Sequence, residues 1–305
     1  MRILTSRWKR SVDLLAVGAG WVAARNGDHY RGGLELLPLH GGAPLRPDLA
    51  DEPVYGAAID LAGRLFVSND AGLCVLDLAS GQEGPPPGPT FYRSDFGLST
   101  DGTRLLASHS LNENGALSAC ERQPDGTYSE YWREGWHAFL WFDAPTLSPD
   151  GQLAAVAQRS PGDGMRGVHI ELVVRHTTSS SPLCKITLDK VGDWRALRIT
   201  DGGLLLGLAK RGVTVWDGRS GRQIAILRNP VRKMLIALAV HPSGKWFATT
   251  DSMGTVRYWD LAAFQQTAAL AWQVGRLESI AFAPDGTIAA AGTADGRVVV
   301  WDVDV

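Results

Sequence analysis

The chain has 305 residues, a net charge of −2, 45% apolar and 20% charged residues, with 35 glycines and 16 prolines. That apolar share supports a sizeable core, and the density of chain-punctuating residues excludes a helical bundle. Near-neutral charge excludes a disordered charged tail as the main feature and leaves no global field for nucleic acid.

From the amino terminus, Arg2, Arg7, Lys9 and Arg10 precede an apolar stretch from Val12 to Ala24. This imitates a secretory signal, but Asp13, Gly18 and Gly20 interrupt the helix such a signal needs. No stretch reaches the roughly 20 apolar residues of a membrane span. Cys74, Cys120 and Cys184 are widely spaced and odd in number, as expected of buried thiols in a reducing, cytoplasmic setting.

Repeats follow. Val213–Asp217, Val256–Asp260 and Val298–Asp302 each end an apolar run in Trp-Asp, and the closing aspartates are 43 and 42 residues apart. Cys74–Asp77 is a degenerate copy with Leu for Trp. That period is the length of one four-stranded propeller blade, about 40–45 residues. A second marker keeps similar time: turns ending at Gly63, Gly102, Gly151, Gly203, Gly244 and Gly286. Alternating apolar pairs such as Ala57/Ile59, Leu197/Ile199 and Ile280/Phe282 precede them, the pattern of half-buried strands. Two longer intervals are assigned to insertions around 109–115, 134–141 and 158–167.

The chain therefore divides into seven units of four short strands. Six begin near Tyr55, Ser94, Asp143, Asp193, Leu235 and Leu277, and one covers roughly 11–49. The last unit runs out after its third strand, so residues 2–8, with Ile3, Leu4 and Trp8, are expected to supply the missing strand and close the ring. The expected fold is all-β: one domain, 1–305, a seven-bladed propeller of antiparallel blades.

With its Trp-Asp pairs and 42-residue period, the sequence resembles the WD40 family of seven-bladed β-propellers over essentially its whole length. Asp70, Asp251 and Asp295 occupy the family's turn-Asp position. The Gly-His pair is absent, so the resemblance implies an incomplete Asp–His–Ser/Thr–Trp network. It also implies a protein-interaction scaffold and no enzyme activity.

Other motifs are weak. Gly18-Ala-Gly20-Trp-Val-Ala23 reads as a phosphate loop in isolation, but the glycines at 27, 32 and 33 preclude the helix it requires. Asp101, Asp150, Asp201 and Asp285 each stand alone in a turn, whereas calcium needs six or more converging oxygens. The seven histidines, including His109 and His241, show no ligand spacing, and no Gly-x-Ser-x-Gly elbow is present. No metal or cofactor is expected.

The candidate site is a set of loop residues on one face: Trp136, His137, Trp141, Arg159, Arg166, Trp194, Arg232 and Arg276. Aromatic and arginine side chains are effective interface anchors. Trp132 belongs with the inter-blade tryptophans, and Arg93, Arg133, Arg195 and Lys233 with the basic set, which suits an acidic or phosphorylated partner. The expected partners are proteins or peptides, with no nucleic acid and no membrane, and the chain is expected to be monomeric. The alternative is a propeller hydrolase of the lactonase type, or a small-ligand sensor, using a central channel whose strand starts offer Tyr55, Ser94, Asp143, Asp193 and Glu278.

Overall fold

The computed structural model describes residues 1–6, 10–26, 33–45, 47, 53–84, 95–111, 114–138, 140–161, 168–188 and 195–303, with the backbone alone at 14, 110, 111, 114 and 136–138. Seven antiparallel sheets form a ring. The first strand, β1 (Arg2–Thr5), is set apart from the blade that follows it. Blade 1 is β2 (Val12–Gly18), β3 (Trp21–Asn26) and β4 (Gly33–Pro38), and blade 2 is β5 (Gly56–Ile59), β6 (Arg64–Asn69) and β7 (Gly72–Asp77). Blade 3 comprises β8 (Asp95–Leu98), β9 (Arg104–Leu111), β10 (Asn114–Arg122) and β11 (Tyr128–Ala138). Blade 4 is β12 (Trp141–Leu147), β13 (Leu153–Pro161), β14 (Val168–His176) and β15 (Pro182–Leu188). Blade 5 is β16 (Ala196–Ile199), β17 (Leu204–Ala209), β18 (Gly212–Asp217) and β19 (Gln223–Arg228). Blade 6 is β20 (Leu235–Val240), β21 (Trp246–Asp251), β22 (Thr255–Asp260) and β23 (Gln265–Ala271), and blade 7 begins with β24 (Leu277–Phe282), β25 (Ile288–Thr293) and β26 (Arg297–Asp302).

β1 completes blade 7: Arg2 pairs with Val300, Ile3 with Val299, Leu4 with Val298 and Thr5 with Arg297. The closure expected from the sequence is thus present, although Trp8 lies outside the described residues. Ser279 of blade 7 donates its hydroxyl to the Val12 carbonyl of blade 1 at 2.7 Å, joining the first and last blades. Among the described residues, the outer strands of blades 1 and 2 shrink to single bridges, Leu36–Leu45 and Leu76–Glu83.

Successive side chains of a strand point to opposite faces, so continuous apolar runs such as Val298–Val300 put apolar groups on both faces of a sheet, and the core lies in the gaps between blades. Seven apolar clusters fill the seven gaps. The gap between blades 7 and 1 packs Val298, Val300 and Ala290 against Val12, Val17 and Val22, with Leu4 added from β1. The innermost strands approach so closely that a Cβ at Gly97 would stand 2.8 Å from the Thr146 Cα of the next blade.

On the face bearing the first-to-second-strand turns, several aspartates cap their own turns, whereas Asp201 accepts from the Asp150 N–H of the neighbouring blade at 2.9 Å. Asp101 accepts from the Thr103 N–H at 2.9 Å, and Asp285 from the Thr287 N–H at 3.0 Å. The turns also grip their neighbours: Arg104 donates to the Gly151 carbonyl at 3.1 Å, and His241 Nε2 to that of Gly286 at 3.1 Å. His241 stacks on Trp246, ring centroids 4.1 Å apart, which makes it a packing residue of this face.

The turn aspartates are satisfied without the missing His. Asp251 accepts from the Met253 and Thr255 N–H groups and pairs with Arg257 at 3.2 Å; Asp295 pairs with Arg297 at 2.6 Å. Asp70 accepts from the Tyr55 hydroxyl at 2.8 Å. The Trp–Thr half of the network survives in blade 6, where Trp259 donates to Thr249 at 2.9 Å.

Candidate docking face and central channel

Connections between blades, together with the turns between second and third strands, share one face. The assigned insertions lengthen strands there. β9 has 8 residues, β10 9, β11 11, and β13 and β14 9 each, against 6 in β17, β18, β21 and β22. At about 3.3 Å per residue, blades 3 and 4 stand roughly 7–10 Å taller than the rest. The sequence reading placed loops where the structure has a paired wall: Pro161 is opposite Val168, and Gly115 opposite His137. Gly115 must lack a side chain, because a Cβ there would meet the Leu140 carbonyl at 2.2 Å.

Six of the eight candidate residues are described, and all six lie on this face. Trp136 and His137 are placed by backbone on the β11 extension. Trp141 opens β12, directly opposite Arg159 on β13. Arg232 and Arg276 are on the connections from blade 5 to 6 and from blade 6 to 7. Arg166, Trp194 and Arg93 lie outside the described residues. The set thus falls into two groups, one on the wall of blades 3 and 4 and one across the ring. Arg159 is held by the Asp143 carboxylate, and Arg276 Nε by Glu278 at 2.7 Å. Arg232 adopts φ 56° in the turn that its N–H closes onto the Asn229 carbonyl at 3.2 Å.

Trp132 does not belong with the loop tryptophans. It sits within β11, donates to the Thr177 carbonyl of blade 4 at 2.8 Å and lies 4.9 Å from the Arg175 guanidinium. It is a strut between two blades. Arg133 is likewise on the strand, bound to Glu130 at 2.9 Å.

The seven inner strands enclose a central cavity of about 560 Å³. Of the residues the sequence offered for it, Tyr55 and Glu278 line the cavity; Asp143 is taken up by Arg159, and Ser94 and Asp193 lie outside the described residues. Charged residues the sequence reading did not offer for the channel also line it, among them Asp13, Asp95 and Arg198. Asp13 is paired with Arg25 at 2.9 Å, and that guanidinium also reaches the Val54 carbonyl of blade 2.

Asp95 is exposed to the channel but ringed by protein. Desolvation pushes its carboxyl up to about 6, against lowering by the Phe96 N–H, Arg198 and Arg25. Desolvation lowers the Arg198 pKa, opposed by the Asp95 charge. Asp95 opens β8, one position after the start expected from the sequence, and Arg198 is mid-strand, so a reading of strand starts passes over both. Elsewhere, burial lowers buried His109 to about 4 and raises Cys120 to about 12, so neither is poised for acid–base or thiolate chemistry near neutrality. Among the described residues, no group of three or more His, Cys, Asp or Glu is placed to hold a metal ion, and no helix is long and apolar enough to cross a membrane.

Residues 222–260 and 273–302 match the family model "WD domain, G-beta repeat". These segments cover β19, the three inner strands of blade 6 and the three inner strands of blade 7. A 99-residue stretch is 30% identical to Caenorhabditis elegans "Transcription initiation factor TFIID subunit 5"; it is 32% of this chain and 15% of that protein, so the chain spans only a small part of that relative's length. A chain in "Crystal Structure of Mitotic Checkpoint Complex" superposes with a TM-score of 0.73 at 15% identity, covering all of this chain and 91% of that one. That likeness is one of fold.

Proposed function

Since the chain is a seven-bladed β-propeller carrying WD40 repeats, we propose that it is a non-catalytic scaffold that docks other proteins on the face bearing the inter-blade connections. One observation carries the reading. The wall of blades 3 and 4 turns a flat ring end into a stepped surface, with Trp141 and Arg159 at its foot and Arg232 and Arg276 across from it. A rigid ring limits the ordering cost of binding, and loops vary without disturbing the blades. The similar protein is a subunit of a transcription initiation factor and the structural neighbour comes from a checkpoint complex, which supports protein partners without naming any for this chain. A cytoplasmic location and a monomeric state belong to the same proposal.

The test is affinity capture from the native cell, comparing the wild-type chain with Trp141→Ala/Arg159→Ala/Arg276→Ala. Loss of captured proteins by a variant that melts within a few degrees of wild type supports the reading, and an unchanged set refutes it. A second reading, a small polar ligand in the channel, is favoured by the Asp95 carboxyl and the Arg198 guanidinium, which both line it. Under that reading, a thermal-shift screen of small polar acids and amines finds a stabilising compound whose effect disappears in Asp95→Asn.

A further inference from the structure

The docking face is unevenly charged, and its blade 5 sector is cationic. Arg195 precedes the innermost strand, Arg211 is in the turn between β17 and β18, Arg228 ends the outermost strand, and Arg232 and Lys233 follow on the connection to blade 6. Strand register puts all of these at one end of the blade: Ala196 is opposite Leu208, Ala209 opposite Gly212, and Gly212 opposite Arg228. Backbone bonds tie the pieces together, from the Asn229 N–H to the Arg211 carbonyl at 3.1 Å and from the Leu235 N–H to the Lys210 carbonyl at 2.9 Å.

All five side chains are exposed, and the ion pairs found among the described residues involve other cations. The acids in the described stretch 195–235 are Asp201 and Asp217, both at turns on the opposite face. Arg195 and Arg228 are at the two ends of a four-stranded sheet, three strand spacings or about 14 Å apart. That is too long for one phosphate group. It matches about four residues of extended chain, whose like-facing side chains recur every ~7 Å. The lone aromatic residue in the described stretch 195–235, Trp216, is 7% exposed and near the far end of its strand, so among the described residues the stripe has no stacking platform for nucleotide bases.

We propose that this stripe binds an extended, carboxylate-rich segment of a partner protein, crossing blade 5 from the channel mouth to the rim. The proposal rests on the reading of this face as a docking surface. Arginine forks take carboxylates in pairs of parallel hydrogen bonds, and several such contacts along one strand give direction as well as affinity.

The probe is a fluorescein-labelled nonapeptide with glutamate at alternate positions, followed by anisotropy at low and physiological salt. Arg211→Glu/Arg228→Glu/Arg232→Glu should weaken binding at least tenfold. Arg219→Glu/Arg222→Glu/Lys245→Glu, with the same charge change on the opposite face, should alter it less than twofold. Equal weakening by both triples would reduce the effect to net charge and overturn the proposal. Tighter binding of an oligothymidylate, or of vesicles containing phosphatidylserine, with the same dependence on Arg211, Arg228 and Arg232, would also overturn it. Because the patch triple keeps Trp141, Arg159 and Arg276, failure of the peptide while cellular capture still depends on those residues sinks this inference alone.

Discussion

Trp301 of blade 7 donates its indole N–H to the Tyr258 hydroxyl of blade 6 at 2.6 Å. In blade 6 the equivalent tryptophan, Trp259, is served within its own sheet by Thr249. The matching position in blade 7 is Ala291, which carries no acceptor, so the neighbouring blade supplies one. Burial raises the Tyr258 pKa, and the phenol stays neutral near pH 7. Tyr258→Phe leaves a buried N–H without a partner and should cost about 1–3 kcal/mol. The melting midpoint should fall by roughly 2–6 °C, read by calorimetry, with circular dichroism at 20 °C unchanged.

Two arginines do similar work at different depths. Arg257 and Asp251 have side chains 7% and 0% exposed, whereas Arg297 and Asp295 are 35% and 56% exposed. Removing one member of a buried pair strands a charge and costs about 3–5 kcal/mol, whereas exposed pairs are worth about 0–1. Arg257→Ala should therefore destabilise by at least about 3 kcal/mol and Arg297→Ala by less than about 1, in urea unfolding. Equal losses would show that the arginine does not stand in for the missing histidine.

The ring was legible in the sequence because its signals are local and repeated: Asp-Gly turns, period-two strands and Trp-Asp endings. Closure was legible too, since a last unit lacking one strand and an unassigned first segment make a complete blade. The wall was not. Extra residues in blades 3 and 4 read equally well as loops, and only cross-strand pairing, such as Ser160 with His169, distinguishes a longer hairpin. Trp132 was misplaced for the same reason, since it lies in the lengthened β11 and not in a connection. The cationic stripe was half visible: Arg195, Arg232 and Lys233 were in the basic set, but Arg211 and Arg228 join it only through the register of blade 5.

The four-pair seam between β1 and β26 predicts that stability depends on a few terminal residues. Leu4 is partly buried against the apolar cluster shared by blades 1 and 7. Leu4→Asp places a carboxylate there and loses a part of the roughly 1.5–3 kcal/mol that full burial of a leucine gives. Deleting residues 1–5 should do more, because it bares the edge of β26 to other chains. The deletion should melt at least 10 °C lower and elute partly as aggregate in size-exclusion chromatography. A deletion that melts like wild type would mean the ring holds without its seam.

Asp95 gives the channel a pH signature with a definite sign. Its carboxyl is raised from 3.8 to about 6, first by desolvation. Between pH 4 and 6 the native state therefore holds a proton that the unfolded chain has released. Stability is fully present below pH 4 and declines as pH rises through 6. A two-unit shift corresponds to roughly 3 kcal/mol. Asp95 is exposed to the channel, and solvent screening of such a group leaves about 1 kcal/mol. Asp95→Asn resembles the protonated form, so its stability should show about 1 kcal/mol less decline from pH 4 to 6.5. At pH 7.5 it should melt about 2 °C above wild type. A variant that melts below wild type at pH 7.5 would show that the carboxylate is stabilised in the channel, with Arg198 outweighing the loss of water.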